Sequence, residues 1–370
     1  MEPVKLVSVT MLWSENSSAS LPPSPAESPV SADWDLVKAI IPPYIFTVCA
    51  LGLLGNSFVL LVFLIHKDCL TVPEIYLGNL ALADFILLSG LPFWAMYIRN
   101  HFSWPYGEAL CKMVNSFIIV NFYTSIYTLA MISIDRYLAL VKTMQARWLR
   151  RTRHAKVICF ILWIFGLLMS VPTMVHRKVE FIEEHETLSC ILDHDGSWKL
   201  THQILLNVVG FVLPVLVIVC CSGNIIRALT DRKETVRFHR ANDTKATALV
   251  YAVTVLFLLC WGPFQLFTFL DTLCDVMVLD ETLWFHTLDI GGQVSVYLAF
   301  LNSALNPVLY VFSGQYFRRK VSGIYRGTRH RRRGSDMTMY QRSVISTYIN
   351  RTEQIKPVVI LNVKDLNYFS

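Results

Sequence analysis

The chain has 370 residues, of which 54% are hydrophobic and only 16% charged, against roughly 45–50% and about 25% in an ordinary soluble domain. So little charge cannot cover the surfaces of two or three aqueous domains. Aromatic residues at 12%, set in long apolar runs, exclude disorder for most of the chain. A net charge of +6 would ordinarily suggest a nucleic-acid partner, but here the positive charge is concentrated on one side of a set of apolar segments.

Crossing a hydrocarbon core of about 30 Å takes about 20 helical residues. Seven stretches of that length contain almost no Asp, Glu, Lys or Arg: 39–65, 75–98 with Asp84 inside, 113–134, 157–175, 200–226, 246–270 and 290–317. Each is expected to be helical, because unpaired backbone groups in lipid cost several kcal/mol apiece and no barrel-like alternation is visible. The expected fold is an all-α integral membrane protein, a seven-helix bundle. Its boundaries are an extracellular N-terminal tail at 1–38, the bundle at 39–314, a short amphipathic cytoplasmic helix at 315–326 and a cytoplasmic tail at 327–370.

Lys and Arg in the short connections set the orientation. Lys142, Arg147, Arg150, Arg151, Arg153 and Lys156 lie between the third and fourth spans, and Arg227, Arg232, Lys233, Arg237, Arg240 and Lys245 between the fifth and sixth. Arg318, Arg319, Lys320, Arg326, Arg329, Arg331, Arg332 and Arg333 follow the seventh span, while nothing basic occurs from 246 to 317. The C-terminus is therefore expected inside and the N-terminus outside a plasma membrane crossed several times. The outer tail carries Pro3, Pro22, Pro23, Pro25 and Pro29 and reads as extended, with a glycosylation sequon at Asn16-Ser17-Ser18. Its first residues lack the basic start and apolar run of a cleavable signal, so the first span is expected to direct insertion.

Two of nine cysteines stand apart. Cys111 at the outer start of the third span and Cys190 in the long second outer loop lie in the oxidising compartment, and a disulfide between them is expected, with two free thiols as the alternative. Cys274 has no partner cysteine in the outer tail. Among the lipid-buried polar residues Asp84 is the most conspicuous, since a charge at mid-helix costs about 2.5–3.5 kcal/mol on insertion scales. Asn121 and Ser125 are four apart on the third span, and Asn302 and Asn306 are four apart on the seventh with Ser303 between them. A carboxylate among amides and hydroxyls suits a small hard cation such as Na⁺, and a hydrogen-bonded knot with a protonated Asp84 is the alternative. No other cofactor and no structural metal is expected.

Prolines inside spans mark bends and release backbone carbonyls: Pro92, Pro172, Pro214, Pro263 and Pro307. Trp261-Gly262-Pro263 joins a large indole to a flexible and a kinked position, which suits a side chain that reorients when something binds above it. The outer loops are acidic. Glu180, Glu183, Glu184, Glu186, Asp193 and Asp195 occupy the second, and Asp271, Asp275, Asp280, Glu281 and Asp289 surround the third, partly offset by Arg177, Lys178 and Lys199. Such a mouth would concentrate a basic peptide in a salt-dependent way, with an ordinary solvated loop as the alternative. Trp94, Trp104 and Phe264 would supply apolar walls. Beyond the seventh span, Phe317, Val321, Ile324 and Tyr325 recur at helical spacing opposite Arg318, Arg319, Lys320 and Arg326, as in an interfacial helix over anionic lipid. Ser335, Thr338, Ser343, Ser346 and Thr347 in the tail are candidate phosphorylation sites.

Gly55-Asn56, Leu80-Ala81-Leu82-Ala83-Asp84, Asp135-Arg136-Tyr137, Trp163, Cys260-Trp261-Gly262-Pro263 and Asn306-Pro307-Val308-Leu309-Tyr310 fall one set per span. In that order they resemble the rhodopsin-like G protein-coupled receptors from about residue 39 to 326. The resemblance implies that Asp135 restrains Arg136 at rest, that Arg136 is released to meet a heterotrimeric G protein, and that Tyr310 moves in concert. It also implies that Ile126, Pro214 and Phe257 form the connector beneath a ligand pocket. Ser222 stands where many members carry a tyrosine, which removes the usual pairing with Tyr310.

Glu74-Ile75-Tyr76-Leu77-Gly78-Asn79-Leu80, Gly90-Leu91-Pro92-Phe93-Trp94, the run from Ser133 to Met144, Leu206-Asn207-Val208-Val209-Gly210-Phe211 and Phe269-Leu270-Asp271-Thr272-Leu273 are similar to the kinin (bradykinin) receptors. What this implies is a basic kinin-like peptide as ligand, contact residues at Trp94, Phe264, Asp271 and Gln293, and signalling through Gq, phospholipase C and calcium. The kinin receptor for the peptide lacking its C-terminal arginine carries a lysine where this chain has Ile119, so the intact peptide is expected. Arrestin and receptor-kinase partners follow from the same resemblance, and nucleic acid does not. An angiotensin-like or chemokine-like ligand is the alternative within receptors, and an ion-coupled transporter using Asp84 is the alternative class. No paired catalytic Asp, His-rich metal set or Ser/Lys dyad lies at mid-membrane, so enzymatic function is not expected.

Overall fold

The computed structural model describes residues 29–65, 70–142, 151–183, 187–193, 198–231, 237–313 and 321–322. In order these form α1 (Pro29–Ile65), α2 (Val72–Arg99), α3 (Gly107–Leu140), α4 (Thr152–His176), the strands β1 (Arg177–Ile182) and β2 (Thr187–Leu192), α5 (Trp198–Ile204), a π-helical stretch (Leu205–Val212), α6 (Leu213–Asp231), α7 (Arg237–Asp275) and α8 (Glu281–Ser313). The fifth span is the continuous run α5–π–α6, so α7 is the sixth span and α8 the seventh. Asn16, the amphipathic segment at 315–326 except 321–322, and all five candidate phosphorylation sites lie outside the described residues.

Six helices or helical runs are long and apolar enough to cross a membrane among the described residues. α8 spans 33 residues, about 50 Å of helix, and Gln293, Ser295, Asn302, Ser303 and Asn306 are all buried within it. α1 begins at Pro29, inside the segment expected as extended tail, and its membrane-spanning part, Ala39–Ile65, matches the expected span.

The helix ends follow local chemistry. At the start of α2, Glu74 Oε2 accepts from the backbone N–H of Thr71 at 2.8 Å and from its hydroxyl at 2.9 Å, and a proline occupies the first turn, where no N–H is needed. Around the bundle, α1 packs on α2 and α8, α2 on α3, α3 on α4 and α6, and α7 on α8. α3 runs through the middle, with polar and apolar residues alike buried along most of its length. Leu54, Leu64, Phe160, Leu168, Leu216 and Leu259 are exposed on the outer faces of the bundle, an apolar surface that only lipid would cover.

Candidate functional site: a roofed outer cavity above a polar core

The outer roof is a hairpin. β1 and β2 pair antiparallel with Arg177 opposite Leu192 and Val179 opposite Cys190, and Cys190 is disulfide-bonded to Cys111 at the start of α3. The expected bridge is therefore formed, and it pins the second outer loop to the central helix. A second tie comes from the first outer loop. The backbone N–H of Trp104 donates to the Leu188 carbonyl at 2.7 Å, and Ser189 Oγ donates to the Phe102 carbonyl at 3.0 Å. To make this turn, His101 and Phe102 adopt positive φ of 52° and 60°, a region non-glycine residues seldom enter. Trp94, Tyr97, Phe102, Trp104 and Tyr106 pack edge-on or tilted beneath it, with ring centroids 5.2 to 6.3 Å apart.

Under the hairpin lies a small, partly open cavity bounded by α3, α4, the hairpin, the fifth span and α7. Asn115, Ile119, Arg177, His202, Gln203 and Thr268 are among its walls. Arg177 is 2% exposed and donates to the Cys190 carbonyl at 3.2 Å. Burial pushes its guanidinium down, to about 9, which leaves it charged at neutral pH. Asn115 donates to the Cys111 carbonyl at 2.7 Å, while its own oxygen accepts nothing among the described residues.

The charged rim is more compensated than its sequence suggests. Lys178 reaches Glu180 at 2.9 Å and Asp193 at 3.1 Å. Lys199 reaches Asp275 at 2.8 Å and Asp271 at 3.6 Å. Each lysine lies between two carboxylates. Of the expected ligand contacts, Asp271 is buried and receives the Gln203 amide at 2.5 Å, which connects it to the cavity wall. Phe264 stands edge-on to Trp261, with centroids 5.9 Å apart. Gln293 is buried and accepts from the Tyr297 hydroxyl at 3.5 Å. Trp94 belongs to the aromatic buttress. None of these four is a wall residue of the cavity described here.

Below the cavity, Trp261 packs on Phe122 at 4.8 Å and Phe257 at 6.0 Å, and Ile126, one turn along α3 from Phe122, is fully buried. The fifth span approaches α3 closely at Gly210, where a Cβ would come within 2.5 Å of the Phe122 ring. Sequence reasoning missed the π-helical stretch that precedes Pro214. In such a helix a carbonyl bonds the N–H five residues on, and for Val209 that partner is Pro214, which has none. The Tyr127 hydroxyl donates to the Val209 carbonyl instead, at 2.9 Å.

The polar core assembles around Asp84, which is fully buried. Asn121 donates to its Oδ1 at 3.0 Å and Asn306 to its Oδ2 at 2.8 Å. Ser125, Asn302 and Ser303 are buried as well; the polar atoms of Ser125 and Asn302, with the amide oxygens of Asn121 and Asn306, have no hydrogen-bond partner among the described residues. Pro307 deprives the Ser303 carbonyl of its helical donor, and Asn56 supplies one at 2.9 Å from α1. At the cytoplasmic end of α3, Arg136 is paired with Asp135 at 2.8 Å. Tyr137 caps α3 through its carbonyl, which accepts from Val141 at 2.8 Å. Pro263 and Pro307 sit inside α7 and α8. Tyr310 lies in α8, and its side chain falls outside the described residues. The Tyr251 hydroxyl on α7 donates to the Ser222 carbonyl at 3.1 Å, so the position lacking the usual tyrosine is still tied to the sixth span.

The family model described as "7 transmembrane receptor (rhodopsin family)" matches residues 55–310. The mouse B2 bradykinin receptor is 46% identical over 296 residues, covering 79% of this chain and 76% of that one. The pig B2 bradykinin receptor is 45% identical over 296 residues, covering 79% and 81%. The human B1 bradykinin receptor is 41% identical over 297 residues, covering 79% and 84%. The chain belongs to the rhodopsin-like G protein-coupled receptors, among the bradykinin receptors. A receptor of this family is a multi-pass plasma-membrane protein that signals and is not an enzyme, so the Asp84 cluster belongs to a signalling bundle and not to a catalytic centre. The membrane fold, the disulfide and the family all agree with what the sequence implied.

Proposed function

We propose that this receptor binds a bradykinin-like basic peptide at its outer face and activates a heterotrimeric G protein of the Gq type, raising calcium through phospholipase C. The observation that carries the reading is the outer mouth, a roofed cavity whose rim sets four carboxylates, Glu180, Asp193, Asp271 and Asp275, against two lysines. Similarity to bradykinin receptors supports the same ligand class. Ile119 in the cavity wall, in place of the lysine noted above, favours the peptide that retains its C-terminal arginine. Arg136 at the cytoplasmic end, held by Asp135, is the group positioned to meet the G protein once the pair opens, a shift between two preexisting states. Arrestin and a receptor kinase are the further partners suggested by the hydroxyls of the 327–370 tail, and anionic lipid by the 315–326 segment.

The test is calcium release and nucleotide exchange in transfected cells given bradykinin. We expect a response that is lost in Arg136→Ala while peptide binding persists. Silence to kinins at micromolar concentration rejects the ligand, and a response to an angiotensin or a chemokine reassigns it. Ion or substrate uptake without nucleotide exchange would favour the transporter.

We further propose that Na⁺ binds beside Asp84 as an allosteric ion. The buried oxygens of Asn121, Ser125, Asn302 and Asn306, without hydrogen-bond partners among the described residues, are the hard donors such a cation takes. Asp84→Asn should abolish any sodium dependence of agonist affinity. Equal sodium sensitivity in the variant and the natural receptor would overturn the site and leave the hydrogen-bonded knot.

A further inference from the structure

Asp271 and Asp275 occupy the last turns of α7, where the helix dipole disfavours a negative charge. Their charge is met from across the mouth by Lys199, in the first turn of α5, at 3.6 and 2.8 Å. Gln203, one turn further along α5, adds its amide to Asp271. The group is largely enclosed, with side-chain exposure of 14% for Lys199, 7% for Asp271 and 20% for Asp275. It also has spare capacity. Asp275 Oδ2 and Gln203 Oε1 are buried acceptors with no donor among the described residues, and Gln203 lines the outer cavity.

An ammonium offers three donors on a flexible stem. A guanidinium offers five in a planar fork that spans two carboxylates. The acceptors left over around Lys199 are those a guanidinium would use and the lysine does not. We propose that Lys199 is a specificity-determining counter-ion: it closes the subsite formed by Asp271, Asp275 and Gln203, and an arginine of the ligand enters by displacing it. The inference rests on the basic-peptide reading above. It makes the subsite selective, because a ligand cation must compete with a tethered one.

The test is competition binding on the full receptor in membranes, using bradykinin and analogues in which each arginine in turn is replaced by its uncharged isostere citrulline. Lys199→Gln should tighten bradykinin about tenfold, and should tighten by less than twofold the analogue whose citrulline falls in this subsite. Lys199→Arg, which puts a better competitor on the same backbone, should weaken bradykinin several-fold. Unchanged binding in both variants, or an equal loss for all peptides in Lys199→Gln, overturns the proposal and leaves a packing role. A ligand-free measurement separates this from the peptide reading. Thermal unfolding of the solubilised receptor carrying Lys199→Gln, Asp275→Asn or both should be non-additive, with a coupling that shrinks in high salt. Additive effects overturn the counter-ion whatever the peptide does. A natural receptor that binds no kinin, yet shows the coupling, rejects the kinin and keeps the counter-ion.

Discussion

Lys178 and Lys199 at the outer mouth each lie between two carboxylates, whereas Asp84 in the middle of the bundle is held by the amides of Asn121 and Asn306. The mouth balances charge with charge and then ties its roof covalently. The core balances a carboxylate with neutral donors, and it uses side chains to repair backbone that prolines have broken. Asn56 serves the Ser303 carbonyl and Tyr127 the Val209 carbonyl. Water and salt reach the Lys178 group and weaken it, and reach the more enclosed Lys199 group less. The core lies where an unmade bond costs its full desolvation penalty. Rim substitutions should therefore alter which ligand is accepted, and core substitutions should alter the stability and state of the bundle.

The largest expected effect comes from cutting the covalent tie. Cys190→Ser releases a hairpin held to the rest of the mouth by the bonds from Trp104 and Ser189, and it should cost about 2–5 kcal/mol. Surface labelling of cells should fall sharply, and peptide binding should be lost in the protein that remains. Retained high-affinity binding would mean that the aromatic buttress and the Trp104 bond hold the roof alone.

A smaller loss should follow Tyr127→Phe. The variant keeps the ring against Phe165, 5.1 Å away between centroids, and removes only the hydroxyl that serves the Val209 carbonyl. With Pro214 unable to donate, that carbonyl is stranded, at a cost of about 1–3 kcal/mol. Thermal unfolding of the ligand-free receptor reads it. If the unfolding temperature is unchanged, the fifth span has relaxed from π to α geometry, and the comparison between the two regions loses its sharpest case.

The spans, their orientation and the disulfide were legible because each follows from a single strong term: lipid excludes charge, insertion sorts lysine and arginine, and the outer compartment oxidises thiols. Asp84 was legible for the same reason, and its partners from four-residue spacing on α3 and α8. The cavity was not. Asn115, Gln203 and His202 carry no pattern in one dimension, since each meets the others only across helices. Arg177 and Lys199 read as ordinary loop cations partly offsetting acid, and only the fold buries one and sets the other between Asp271 and Asp275. The π-helical stretch could have been suspected from Pro214 following an apolar run, but the donor that makes it tolerable is on another span.

The smallest expected effect separates the two lysines of the mouth. Lys178 has the same two-carboxylate arrangement as Lys199, but 38% of its side chain is exposed and it lies on β1, away from the cavity walls. Hydrogen bonds to Glu180 and Asp193 hold its ammonium above the ordinary 10.5. A raised value means its contribution is complete at neutral pH and is lost only on titration above 10.5. Solvent screening limits that contribution to under about 1 kcal/mol. Lys178→Met should therefore leave the unfolding temperature nearly unchanged at physiological salt, and leave the ratio of bradykinin to citrulline-analogue affinity where it was. A change in that ratio as large as the one expected for Lys199→Gln would show that net charge at the rim, and not the enclosure of Asp271, decides which peptide is taken.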